Sequence, residues 1–243
     1  LSDTISIANL TLNNGGFLNL NGFSLNCQGT TTINNGAKID LATAALIMNG
    51  NAVLNGGLFL DTRLDSIAGA IGTVAALGST TTFGLGATGP VFEGNVKVNS
   101  ATVRMMNSTF NAIASIYKTG TSNDQSSGNN TFNGLTYITT TSTGYFLMSS
   151  SKSDTFNAEV NFNSQGSGII YPAYSGTGTL FNQNVIVSSS STGGVRIGAN
   201  TGVATLADTK SILIGSEGFT SGMLMLGRIN ILNTDSFKLT LPG

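Results

Sequence analysis

Five similar heptapeptides in the middle of the chain decide the fold. They are Phe92-Glu-Gly-Asn-Val96-Lys-Val98, Phe110-Asn-Ala-Ile-Ala114-Ser-Ile116, Phe132-Asn-Gly-Leu-Thr136-Tyr-Ile138, Phe156-Asn-Ala-Glu-Val160-Asn-Phe162 and Phe181-Asn-Gln-Asn-Val185-Ile-Val187. Each begins with Phe, usually continues with Asn, and carries apolar or small residues at its fifth and seventh positions. A unit that recurs at a near-constant period indicates a repeat architecture.

The same rule extends toward both ends of the sequence. Less regular units begin at Leu12, Ile33, Leu54, Ile71, Leu206 and Ile231. Together with the five Phe units these make eleven anchors, and successive anchors are 17 to 25 residues apart. We therefore predict about eleven structural repeats of that length.

Within each unit the apolar residues recur with a period of two rather than 3.6. Examples are the pairs Ile5/Ile7, Leu18/Leu20 and Leu239/Leu241. Strict short alternation is typical of strands with one buried face. Clusters of Gly, Asn, Ser and Thr separate the strands, and these residues favour turns. We find no convincing amphipathic helix, so the chain is predicted to be all-β.

Short strands that repeat about every 22 residues and turn in one sense predict a parallel β-helix. We expect a single-stranded, right-handed β-helix of about eleven coils of 17–25 residues, with the hand taken from the crossover rule. One domain spans residues 1–243. It comprises less regular N-terminal coils (1–90), regular Phe-Asn coils (91–215) and C-terminal coils (216–243), and we expect it to be part of a longer chain.

The repeat also predicts which residues stack on one another from coil to coil. Three inward columns are expected, comprising Phe92, Phe110, Phe132, Phe156 and Phe181; Val96, Ala114, Thr136, Val160 and Val185; and Val98, Ile116, Ile138, Phe162 and Val187. The row of Asn111, Asn133, Asn157 and Asn182 predicts a turn ladder with amide hydrogen bonds between coils. Ligand-binding amides are the alternative interpretation of that row.

The composition excludes several classes of chemistry. The 243 residues contain no His and a single Cys, Cys27, so neither a Ser-His-Asp triad, nor a His-ligated metal, nor an internal disulfide framework is expected. Ten basic and eleven acidic residues give a net charge of −1, which indicates no nucleic-acid partner. No apolar run is long enough to span a membrane. We expect no cofactor.

Low charge itself agrees with stacked coils. Charged residues make up 9% of the chain. In a β-helix, like charges in one column would repeat about every 4.8 Å and repel one another. Columns are therefore better filled by Asn, Ser, Thr and Gly.

Carboxylates are scattered along the sequence, which argues against an enzyme. Asp61 and Asp65 are the closest pair, with Arg63 between them, and we interpret them as an exposed salt-bridged strand or loop rather than a site. Asp154 and Glu159 are expected to be solvated charges. The Thr triplets 30–32, 80–82 and 139–141 fall at different positions relative to the anchors, so no continuous Thr face is expected.

Exposed aromatic residues are the candidates for ligand binding. A patch of Tyr137, Tyr171 and Tyr174 would offer rings on which a glycan can stack, whereas ordinary packing between coils is the alternative interpretation.

Several segments of the C-terminal half resemble a known class of repeat. Asn130-Thr-Phe-Asn-Gly134, Asp154-Thr-Phe-Asn157, Ile170-Tyr-Pro-Ala-Tyr174 and Lys118-Thr-Gly-Thr-Ser-Asn-Asp124 resemble repeats of large secreted, adhesin-like surface proteins of the Bacteroidota. The resemblance covers residues 90–215 well and 1–60 loosely. It implies an extracellular or cell-surface β-helix without catalytic residues.

We thus expect a non-catalytic structural or adhesive rod that mediates attachment or presents a binding surface to glycans or other surface proteins. The first alternative is an extracellular filament subunit that stacks end to end, because a β-helix has open strand edges at its ends. The second is a polysaccharide-binding or polysaccharide-degrading β-helix protein.

Overall fold

The protein is a parallel β-solenoid with three faces. The computed structural model describes residues 4–41, 44–60, 73–84, 89–232 and 239–240. These residues form thirty-one short strands and no helix, and every paired strand is parallel to its neighbour. The predicted all-β parallel β-helix is confirmed.

The strands are two to eight residues long. The first eleven are β1 (Thr4–Ile7), β2 (Leu10–Leu12), β3 (Phe17–Asn19), β4 (Ser24–Cys27), β5 (Thr31–Ile33), β6 (Lys38–Asp40), β7 (Ala45–Met48), β8 (Ala52–Leu54), β9 (Leu58–Leu60), β10 (Thr73–Ala76) and β11 (Thr80–Phe83). The next eleven are β12 (Val91–Phe92), β13 (Asn95–Ser100), β14 (Thr102–Met105), β15 (Thr109–Phe110), β16 (Ala114–Lys118), β17 (Asp124–Gln125), β18 (Thr131–Phe132), β19 (Thr136–Thr140), β20 (Phe146–Leu147), β21 (Thr155–Phe156) and β22 (Val160–Ser164). The last nine are β23 (Ile169–Tyr171), β24 (Thr179–Phe181), β25 (Val185–Ser189), β26 (Gly194–Ile197), β27 (Ala204–Leu206), β28 (Ile212–Phe219), β29 (Met223–Leu226), β30 (Ile229–Ile231) and β31 (Leu239–Thr240).

Each coil contributes one strand to each face in turn. Sheet A holds the eleven strands β1, β4, β7, β10, β13, β16, β19, β22, β25, β28 and β31. Sheet B holds the ten strands β3, β6, β9, β12, β15, β18, β21, β24, β27 and β30. The third face is divided into sheet C (β2, β5, β8, β11, β14) and sheet D (β17, β20, β23, β26, β29). The eleven strands of sheet A correspond to about ten turns of the solenoid.

The core consists of inward side chains that stack in register along sheet A. Val96, Ala114, Thr136, Val160 and Val185 are successive partners. Val98, Ile116, Ile138, Phe162 and Val187 form the neighbouring column. All ten side chains are buried. Period-two alternation therefore directs every second side chain into the core, as a pleated strand requires.

A column of aromatic rings fills the core beneath sheet B, and we call it the Phe column: Phe59, Phe92, Phe110, Phe132, Phe156 and Phe181. Consecutive rings stack with centroids 4.7 to 5.2 Å apart. That spacing matches the separation of neighbouring strands, so the backbone register itself sets the ring stacking.

The ten sequence anchors that the structure describes belong to two different columns. Toward the N-terminus the Phe column continues through Ile39 and Leu18. Leu12, Ile33 and Leu54 instead lie in sheet C, in a column that continues to Phe83 and Met105. Ile71 lies outside the described residues. The repeat rule merged the two columns because both place a large apolar residue before Asn.

Two Thr triplets also share columns, contrary to the prediction. Thr31 and Thr81 flank Ala52 in sheet C, while Thr32 and Thr82 flank Val53. The predicted register was wrong because it counted the second triplet from Ile71, the anchor of the fourth unit. Ala52 and Val53 still interrupt the Thr rows, so these two columns provide no continuous Thr face.

Asn side chains bond from coil to coil where the chain leaves the strands. The Nδ2 of Asn133, Asn157 and Asn182 each donates to the Oδ1 of the preceding Asn at 2.7 Å, and the Nδ2 of Asn111 donates to Glu93. A second ladder joins Asn13, Asn34 and Asn55. Beside the first ladder, Gly134 permits close stacking, since a Cβ there would lie 2.1 Å from the carbonyl oxygen of Ala112.

Candidate functional site

The third face of the solenoid is interrupted between β14 and β17. Here side-chain oxygens, instead of the backbone carbonyl groups of a regular ladder, accept hydrogen bonds from backbone amides. The amide of Val103 donates to Asp124 Oδ2 at 2.7 Å, and the amide of Met105 donates to Ser126 Oγ at 3.0 Å. The buried amides thus keep their partners although β14 and β17 do not pair and the two sides of the break meet in an isolated bridge between Met106 and Gly128.

On the outer surface this interruption forms a cleft with a volume of about 350 Å³. Its walls combine the two sides of the break, with Arg104 and Met106 on one side and Asn123, Gln125 and Ser127 on the other. Thr82, Phe83 and Met105 complete the lining. A volume of this size is at the small end of the range of ligand sites, which is roughly 300–1,000 Å³.

Three tyrosines lie beside the cleft, on the outer side of sheet D and in the corner that follows β23. The Tyr171 ring packs edge to face against Tyr145 and Tyr174, with centroids 5.7 and 5.6 Å away. Burial raises the pKa of Tyr171, and the neighbouring tyrosines add to the rise, while the positive charge of Arg196 opposes it. Tyr145 is the most accessible of the three, with 38% of its surface exposed.

The register of sheet D joins the cleft to the tyrosines. Gln125, Leu147 and Tyr171 are successive partners in one outward column. The amide of Tyr145 donates to Asn123 Oδ1 at 2.9 Å, which fixes the Asn123 side chain against the next strand. We call the combined surface of Arg104, Asn123, Gln125, Ser127, Tyr145, Tyr171, Tyr174 and Arg196 the tyrosine face.

The structure divides the predicted tyrosine patch between two faces. Tyr171 and Tyr174 lie together, but Tyr137 lies in β19 of sheet A, where its backbone partners are Ser115 and Asn161. Tyr145 takes the place next to Tyr171. The sequence contained a signal for this arrangement, because Tyr145 and Tyr171 lie one and three residues after Gly144 and Gly168, which each precede a strand of sheet D.

Asp124 and Asp154 are the most deeply buried carboxylates among the described residues. Asp124 forms a buried ion pair with Lys118, with 3.6 Å between Oδ2 and Nζ, and Lys118 also donates to the carbonyl oxygen of Gly120 at 2.6 Å. Burial raises the pKa of Asp124 and lowers that of Lys118, and their mutual attraction works against both shifts.

Asp154 is fully buried, so the expectation of a solvated charge was wrong. Its Oδ1 accepts hydrogen bonds from the backbone amide and Nδ2 of Asn130, both at 2.8 Å, and its Oδ2 accepts one from Ser149 Oγ at 2.7 Å. Burial raises the pKa of Asp154 to about 6, with these hydrogen bonds opposing the rise. The Asp154 carboxyl group thus links neighbouring coils through hydrogen bonds and is inaccessible to solvent.

Other candidate sites give no assembled centre in the part of the chain that the structure describes. Asp61, Arg63 and Asp65 lie outside the described residues. Within the described ranges no three acidic or Cys side chains are grouped to hold a metal ion. The lone Cys27 is buried. None of the described segments is a helix suited to crossing a membrane.

Comparisons with known proteins return no match for this chain among family models, curated proteins or solved structures. The tyrosine face and the buried polar groups are therefore interpreted from their own geometry.

Proposed function

We propose that this chain is a non-catalytic, rigid segment of an extracellular cell-surface protein, and that its outer faces mediate attachment. The observation that supports this most is the continuity of the inward columns. The Phe column alone joins six successive coils through stacked rings. Such a core resists bending because every coil packs against the coils on both sides.

The environment of the acidic residues supports a non-catalytic role. A general acid or base must reach the proton that it transfers, at about 2.6–3.2 Å from a substrate atom. Among the described carboxylates, Asp124 and Asp154 have raised pKa values, and both are closed off from solvent by the coils around them. Their hydrogen bonds and ion pair go to protein groups, which gives them a structural role.

Polysaccharide binding without cleavage is the second function that we consider, and the tyrosine face favours it. Its accessible ring and polar cleft lie on a lateral face, where a long ligand can approach. An end-to-end filament would instead use the open strand edges.

An adhesion assay tests the proposal. Beads coated with the chain should be retained on surfaces of immobilised polysaccharides more strongly than beads coated with serum albumin. The same polysaccharides in solution should release no new reducing ends or unsaturated products. Product release would contradict the non-catalytic role, and equal retention of both bead types would contradict attachment. Growth of particle size with concentration in light scattering would favour the filament alternative.

A further inference from the structure

We propose that the tyrosine face binds an acidic oligosaccharide, with a uronic-acid carboxylate held by Arg104 and sugar rings lying along Tyr145. This inference rests on the proposed attachment function and names the ligand class of the surface involved. It combines a cleft, an unpaired cation, unused polar groups and an accessible aromatic ring on one lateral face.

The charge of the cleft favours an anion. Arg104 is exposed, and no acidic residue is among the groups that line the cleft. Asp124 attracts Arg104 but is buried behind the sheet and is paired with Lys118. Within the described ranges the Arg104 guanidinium donates no hydrogen bond. Its planar fork is suited to a carboxylate, which it can bind through two parallel hydrogen bonds.

The polar groups around Arg104 are suited to sugar hydroxyls. Asn123 is exposed and uses its Oδ1 to accept from the Tyr145 amide, which leaves its Nδ2 available as a donor. The side chains of Gln125 and Ser127 make no hydrogen bond to any residue that the structure describes. Amides and hydroxyls both donate and accept, as the hydroxyl groups of a saccharide require.

The tyrosines extend the surface along the solenoid axis. From β17 to β26 there are three strand spacings, or about 14 Å, and Arg196 lies at the far end beside Tyr171. The Tyr171 ring contacts both Tyr145 and Tyr174, and within this cluster Tyr145 remains partly exposed. An extended chain of several sugars matches this length, whereas a single sugar would contact only the cleft.

Titration calorimetry with matched probes tests the inference. The probes are the tetramers of galacturonic, glucuronic and mannuronic acid, each compared with the neutral tetramer of the corresponding hexose. The chain should bind at least one acidic tetramer more tightly than its neutral counterpart. Arg104→Gln should weaken binding of that acidic tetramer about tenfold or more, because a charge-assisted hydrogen bond is lost, and should leave the neutral tetramer unaffected.

The chain offers matched controls for the aromatic contact. Tyr145, Tyr137 and Tyr117 are exposed to nearly the same extent, at 38%, 37% and 36%, but the last two lie on sheet A. Tyr145→Ala should weaken binding of acidic and neutral tetramers alike, while Tyr137→Ala and Tyr117→Ala should leave both unchanged. Far-UV circular dichroism melts verify that each variant is folded.

Three results would overturn the inference: no binding of any acidic tetramer, no effect of Arg104→Gln, or equal losses from Tyr145→Ala and Tyr137→Ala. Bead adhesion that persists in Tyr145→Ala and Arg104→Gln, together with any of these results, would leave the attachment role standing and remove only this site. Cleavage of a tetramer would instead contradict the proposed function itself.

Discussion

At the scale of single residues, polar side chains in this solenoid accept hydrogen bonds from backbone amides, as carbonyl groups do in a regular ladder. The amides of Ser108, Asn130 and Asp154 are each bonded by a side chain from the next coil, those of Asn130, Asp154 and Thr179 respectively. All four residues of this column are buried. A buried amide without a partner would cost roughly 1–3 kcal/mol, so the column is needed wherever the ladder is irregular.

The buried Asp154 predicts a specific pH dependence of stability. Its pKa rises from 3.8 to about 6 on folding, so the folded state holds this proton more tightly than the unfolded chain. The associated stability is present below about pH 4 and is lost as the pH rises to about 6. The loss corresponds to about 3 kcal/mol.

Denaturant unfolding at pH 4 and pH 7 measures this effect. Asp154→Asn replaces the titrating carboxyl group with an amide whose oxygen can still accept from Asn130. The variant should therefore lose little stability between these two pH values. Asp208→Asn is the matched control, since Asp208 is exposed and bonds to the neighbouring Thr209 amide. If Asp154→Asn keeps the pH profile of the unmodified chain, the account of Asp154 is wrong.

These buried charges could be predicted from the sequence only in part. Asp154 precedes Thr-Phe, as Asn130 and Ser108 do, and this shared position was a usable signal for a buried polar column. Lys118 occupies a position where other coils place Ser or Thr, as at Ser100, Thr140 and Ser164. From the sequence alone, a Lys at that position is predicted to be exposed. It is buried because its partner Asp124, six residues away in the same coil, also lies in the interior.

At the scale of elements, each strand is too short to be stable alone, and columns between strands stabilise the sheets. Strands of sheet B contain only two or three residues. Stacked rings and amide ladders repeat the same contact at each coil, so each strand is stabilised by two neighbours. Loss of one member should therefore weaken two interfaces.

Phe132 tests the contribution of the Phe column. Its ring stacks on Phe110 and Phe156 with centroids 4.8 and 4.7 Å away. Phe132→Ala should lower the free energy of unfolding by about 3–5 kcal/mol, because it removes a buried ring and leaves a cavity.

The matched control is another Phe of sheet B. Phe17 lies in β3 but points outward and is 61% exposed, so Phe17→Ala should change stability by no more than about 0.5 kcal/mol. Both variants are compared by guanidinium unfolding followed by circular dichroism. Equal costs for the two substitutions would show that stacking in the Phe column contributes no specific stability.

The strands and their inward residues followed from the sequence, but the assignment of units to faces did not. Period-two alternation identifies a buried face without saying which face it is. Leu54 and Phe59 are five residues apart and both are buried, one in sheet C and one in sheet B. The register of the N-terminal coils follows only from the pairing of Phe59 with Phe92. These two residues are 33 positions apart in the sequence, which is longer than the predicted repeat of 17–25 residues.

At the scale of the whole molecule, the three faces differ in what they offer to a partner. Sheets A and B run through the solenoid, whereas the third face changes from sheet C to sheet D at the β14–β17 interruption. That change creates the cleft and the tyrosine face. The sequence could predict a rod but not this site, because Arg104 and Gln125 are 21 positions apart and meet only through the stacking of coils.

The central claim is that the residues of one column stack one strand spacing apart along the axis. Ser6, Lys97 and Tyr137 are exposed and lie in one outward column of sheet A, with Lys97 four strands from Ser6 and Tyr137 six strands from it. Spin labels on Cys at these sites, measured by double electron–electron resonance, test it directly, and the unmodified chain controls for labelling of Cys27.

The expected backbone separations are about 19 Å for the 6/97 pair and about 29 Å for the 6/137 pair. The two distance distributions should therefore be narrow and should differ by about 10 Å, or two strand spacings. Equal distances for the two pairs, or a broad distribution for either one, would contradict the stacked solenoid.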